Sequence, residues 1–230
     1  MIWILVVALA AQTFTPDSGD VSVVKSRQFV RDYALCVVKK QPAEANTAVL
    51  STVDNKTLMK AYPKVIQPDC LDGSIGTMAF AGDLYRYALA DALIQKENVA
   101  QPLINPAQVE PLTHFTPGPP PSATDTKGRT ISKKKYAASM RGYATDIAYS
   151  QVSRFGECVV RANPSGALNV LKTESTTDAE ATAMVALRPV LSACLPKGET
   201  LQLTKEVLRG AIALNYYRLS KAPRLQEAAR

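Results

Sequence analysis

The 230-residue sequence predicts an all-α protein of two tandem four-helix repeats, each stapled by an intra-repeat disulfide. Three observations carry that expectation. Cys36-Val37-Val38-Lys39 recurs as Cys158-Val159-Val160-Arg161, and a proline stands six residues after each cysteine (Pro42, Pro164). A second cysteine follows 34 residues later in the first copy (Cys70) and 36 later in the second (Cys194), with Leu next and Gly soon after. Apolar residues then recur at the helical period in both copies, and no comparable stretch alternates with the two-residue period of a strand.

The elements follow in order. Met1 to Ala11 is an apolar run long enough for a signal-peptide core and too short to span a bilayer. Ala8-Leu9-Ala10 supplies the small-x-small pattern of a cleavage site, which makes residues 1–10 the signal peptide. That run lacks Lys and Arg, and a buried first strand or helix is the other reading of it. Repeat 1 occupies 20–97. Its first helix shows Phe29, Tyr33, Cys36 and Val37 on one face, and Pro42 suits the first turn of the second, where a missing N–H costs nothing. The third carries Leu58, Met59 and Val65 and should be kinked or shortened by Pro63; the fourth presents Tyr85, Leu89 and Leu93.

Residues 98–131 hold seven of the fifteen prolines and read as a basic, semi-rigid linker that leaves the units free to pack together or swing apart. Repeat 2 spans 132–220. A long first helix beginning near Ser132 carries Met140, Tyr143, Ile147, Phe155, Cys158 and Val159. Asn163 is a good N-cap for a helix at Pro164. The third helix opens at Thr177-Asp178-Ala179-Glu180 and runs through Met184, Leu187, Pro189 and Val190, and the fourth presents Leu208, Ile212 and Tyr216. Short extended pieces are expected at 77–80 and 200–203, and 221–230 is a tail.

Four cysteines fit an oxidising compartment. They allow three pairings, and Cys36–Cys70 with Cys158–Cys194 is expected because a single ancestral unit would have needed its own staple. Neither pair has the close spacing of a redox dithiol or a zinc knuckle. The formal charge of +7 sits mainly in one segment: Lys127, Arg129, Lys133, Lys134, Lys135 and Arg141, with no acid between them. Such a run is a solvated face or makes weak contact with an anionic surface; nucleic acid is not an expected partner of an exported chain.

His114 is the single histidine and lies in the linker, which removes most Ser–His and Cys–His chemistry and His-rich metal sites. No phosphate-cradling glycine motif appears, and neither cofactor nor metal is expected. The acid and arginine pairs Asp83/Arg86 and Glu206/Arg209 match across the copies. At this spacing they form surface ion pairs, or else Arg86 and Arg209 reach a helix end or an anionic ligand at equivalent places.

The C-V-V-x-x-x-P…C-L…acid-x-x-R pattern, duplicated behind a signal peptide, resembles exported duplicated-repeat proteins of alphaproteobacteria, the sphingomonad group in particular. The resemblance covers the two repeat cores and not the linker. It implies a periplasmic or secreted location and transfers no activity. The expected function is therefore a non-enzymatic exported binding or protein-interaction module, acting on an envelope component or another protein. The other readings are a carboxylate-dependent hydrolase or transferase with its site between the repeats, and a structural envelope component without a small ligand.

Overall fold

The computed structural model describes residues 21–71, 82–97, 106–195 and 203–222. Residues 1–10, expected as a signal peptide, the expected extended pieces at 77–80 and 200–202, and residues 223–230 of the expected tail lie outside that set. Among the described residues there are nine α-helices and no strand: α1 Val21–Lys40, α2 Pro42–Leu50, α3 Asn55–Ala61, α4 Gly82–Lys96, α5 Lys133–Ala162, α6 Pro164–Lys172, α7 Asp178–Ala186, α8 Arg188–Cys194 and α9 Lys205–Lys221.

Local chemistry sets the boundaries. Pro42 and Pro164 open α2 and α6, and Asn163 caps the latter by accepting from Gly166 N at 2.8 Å. Asp54, Ser132, Thr177 and Thr204 cap α3, α5, α7 and α9 in the same way. Pro63 ends the third helix of the first half, leaving 3₁₀ turns at Pro63–Val65 and Pro68–Cys70. Pro189 instead divides the corresponding stretch of the second half into α7 and α8. Cys36 is bonded to Cys70 and Cys158 to Cys194, so α1 is tied to the second 3₁₀ turn and α5 to the end of α8.

The two halves share one core. α4 lies against α9, α1 and α2 flank α4, and α5 and α6 flank α9, with all buried apolar residues in one cluster. Every residue of α9 from Leu208 to Leu219 is buried. Its polar residues in that stretch, Arg209, Asn215 and Arg218, each find hydrogen-bond partners inside, which lets the helix be enclosed on all sides. Gly210 permits the α4 crossing: a Cβ there would stand 2.4 Å from the Tyr87 Cβ. Packing rather than swinging is thus the arrangement of the two halves.

Much of the proline-rich stretch is a strap on α5. An extended proline-rich chain leaves its carbonyls without internal partners. Arg161 donates to the carbonyls of Pro106, Val109 and Glu110, Arg218 to that of Thr113, and the Ser150 hydroxyl to that of Phe115. Leu112 and Phe115 pack on the core and Val109 is buried in it.

Candidate functional site

A cleft of about 510 Å³ opens between the N-terminal halves of α1, α4 and α9. Val30, Leu84, Tyr87, Ala88 and Val207 give it apolar walls; Arg27, Arg31, Asp91, Glu206, Arg209 and Ser175 supply the polar groups. This size suits a small-molecule site, which typically combines apolar lining with a few fixed polar groups.

A charged lattice backs the cleft. Arg209 donates to Asp91 from Nε at 2.9 Å and to Glu180 from Nη1 at 3.2 Å. Arg27 donates to both oxygens of Glu180, at 3.2 and 3.1 Å, and pairs through Nε with Glu206 at 2.8 Å. Burial weakens the Arg209 cation, and Asp91 and Glu180 more than offset that, raising its pKa above the ordinary arginine value. Four helices, α1, α4, α7 and α9, are joined through these groups. Because the guanidinium groups occupy the carboxylates, the lattice is a rigid wall and not a set of free acid or base groups.

Arg209 also donates to the carbonyls of Val170, Leu171 and Thr173 at the C-terminal end of α6. Arg86 does the same at the end of α2, donating to Ser51 O at 3.2 Å and Val53 O at 2.6 Å, and also to the Tyr149 hydroxyl at 3.1 Å. Both are buried, at 1% and 5% exposure, so neither forms a surface ion pair. Cations at helix C-termini satisfy the last carbonyls and complement the dipole. Glu206 engages Arg27 rather than its neighbour Arg209, and the side chain of Asp83 lies outside the described residues.

His114 belongs to the strap, and its side chain is buried against α5. Its Nε2 lies 2.5 Å from Glu157 Oε2 and its Nδ1 lies 2.8 Å from Ser153 Oγ. A carboxylate only accepts, so Nε2 carries a proton towards Glu157, while Nδ1 is hydrogen-bonded to the Ser153 hydroxyl. Burial pushes the Glu157 carboxyl up, but hydrogen bonds from His114, the Leu112 amide and Arg161 prevail and hold it at about 2. Ser153 is 1% exposed and distant in sequence from His114, and the cluster fastens the strap rather than opening to a substrate. Nothing local in the sequence signals it, since its members come together only when the strap lies down on α5.

The basic residues do not converge on the cleft. Lys127, Arg129, Lys133, Lys134, Lys135 and Arg141 are all exposed, along the turn before α5 and its N-terminal half. Arg129 is engaged by Asp125 within that turn, at 2.8 Å. Among the described residues no group of three His, Cys, Asp or Glu is placed to hold a metal ion, and no helix is long and apolar enough to cross a membrane. Comparison of the chain with protein-family models, with curated proteins and with solved structures gives no match.

Proposed function

We propose that this chain is a non-enzymatic, exported binding module, built from a duplicated helical unit, that takes a small apolar-bodied molecule in the cleft between α1, α4 and α9. The cleft itself carries the reading: apolar walls held open by a lattice of guanidinium and carboxylate groups are suited to holding a ligand and poorly suited to moving protons. Duplication is supported by the paired cysteines, the helix-opening prolines, and the arginines of α4 and α9 that each reach the end of the second helix of their half. Export is supported by the two disulfides, the apolar N-terminal run and the resemblance to exported proteins. The alternative, a carboxylate-dependent hydrolase or transferase at the junction, finds Asp91 and Glu206 on the cleft wall, both engaged by arginine.

The test uses the oxidised protein and the neutral fluorescent probe N-phenyl-1-naphthylamine. Saturable binding of one probe per chain is expected, with loss of binding in Ala88→Trp, which fills the cleft, while its far-UV circular dichroism stays unchanged. Absence of saturable binding, or equal binding by Ala88→Trp, would remove the reading.

A further inference from the structure

Resting on the cleft as a binding site, we infer that its ligand is an amphiphilic anion, a single apolar chain whose carboxylate head meets Arg31. Three guanidinium groups line the cleft, and two are committed. Arg209 is shared between Asp91, Glu180 and three backbone carbonyls, and Arg27 between Glu180 and Glu206. Arg31 differs. Its ion pair is with Glu174 at 3.3 Å, and the Glu174 side chain is 68% exposed. A pair so open to water is weak and exchangeable. The Arg31 Nε is moreover buried without an acceptor among the described residues.

A second orphan stands beside it. Ser175, adjacent to Glu174, is 7% exposed, lines the cleft, and its buried hydroxyl has no partner among the described residues. The loop carrying both residues is held in an uncommon conformation. Thr176 has φ +69°, a region that β-branched residues rarely adopt, and its amide is fixed on Glu180 Oε2 at 2.9 Å. The loop thus places one unsatisfied hydroxyl, Ser175, on the cleft wall and pairs its exposed neighbour Glu174 with Arg31, which lines the same cleft.

A ligand carboxylate in place of Glu174 would accept from the two Nη groups of Arg31, in the end-on two-point geometry that guanidinium and carboxylate share. Its chain would lie on Val30, Leu84, Tyr87, Ala88 and Val207. A cationic head is disfavoured because Asp91 and Glu206, the acids that line the cleft, already hold arginines.

Displacement of the bound naphthylamine probe tests this, with dodecanoate, dodecanol and dodecyltrimethylammonium compared below their micelle concentrations. Dodecanoate is expected to displace the probe at least about tenfold more tightly than dodecanol. Arg31→Gln should erase that difference, with dodecanoate falling to the level of dodecanol. Glu174→Gln, which removes the competing carboxylate, should tighten dodecanoate alone, and it provides the readout should Arg31→Gln fail to fold. Equal displacement by the acid and the alcohol, or tightest binding of the cation, would overturn the head-group inference and leave the cleft as a binding site. Failure of the probe itself to bind would remove the cleft reading first.

Discussion

Replacing Gly156 by alanine should destabilise the protein, although alanine is the better helix former by about 1 kcal/mol. Gly156 lies where α5 crosses α9. A Cβ there would stand 2.6 Å from the Ala211 carbonyl oxygen and 2.6 Å from Asn215 Nδ2, against an ordinary contact of 3.4–4 Å. The first neighbour is backbone and cannot turn aside. The second is a fully buried amide that donates to Ser153 O at 2.9 Å and to Ala211 O at 2.8 Å. Overpacking of this kind costs about 1–3 kcal/mol and disturbing a buried donor about as much again. Set against the propensity gain, the net loss is about 1–5 kcal/mol. Gly142 is the control, in the same helix but exposed, with nothing within 4 Å of its Cβ position. Gly142→Ala should therefore stabilise by about 1 kcal/mol. Urea unfolding of both oxidised variants, followed by circular dichroism, measures the two free energies. If Gly156→Ala were stabilised as much as Gly142→Ala, the close crossing of α5 and α9 would be refuted.

Three further outcomes are expected. Arg209→Ala, which strands Asp91 in the interior and leaves Glu180 with Arg27 alone of its two arginines, should lower unfolding free energy by about 3–5 kcal/mol; a change under 1 kcal/mol in a urea titration would contradict a buried network. Folding depresses the Glu157 carboxyl from its ordinary 4.5 to about 2, so its stabilisation is present above about pH 4.5 and is lost as pH falls towards 2. At neutral pH that contribution is on the order of 3 kcal/mol, and Glu157→Gln should flatten the acid limb of stability against pH; an unchanged limb would remove Glu157 from the strap's fastening. Each disulfide closes a loop of 34 or 36 residues, worth about 4 kcal/mol on a chain-entropy account. The double variants Cys36→Ser/Cys70→Ser and Cys158→Ser/Cys194→Ser should each melt well below the parent protein, and parental melting in either would sink that estimate.

How far the sequence reaches depends on the range of the forces involved. Caps, helix-opening prolines and apolar stripes act within a turn or two, which is why Asn163, Thr177, Pro42 and the stripe of α1 announce themselves. Periodicity still misled in α5. Met140, Tyr143 and Ile147 continue the stripe of Phe155 and Val159 but are only half-buried, because the first turns of the helix extend past the core. In α9 the stripe of Leu208, Ile212 and Tyr216 was legible, but Ala211, Ala213, Leu214 and Tyr217 are equally buried. Their burial depends on neighbours from both halves, and no window of a single helix contains that information.

By itself the sequence determined the helical class, the starts of four helices (at Pro42, Ser132, Pro164 and Thr177) and the pairing expected of Cys36, Cys70, Cys158 and Cys194. Tertiary structure alone decided the cleft and its lattice. Arg27 meets Glu180 across 153 residues and Arg209 meets Asp91 across 118, and these ion pairs exist only because α4 and α9 bury each other. The same docking laid the strap over α5 and brought His114 to Ser153 and Glu157. A local signal needs only its own turn of chain, whereas a buried polar site needs every wall in place before its charges can find partners.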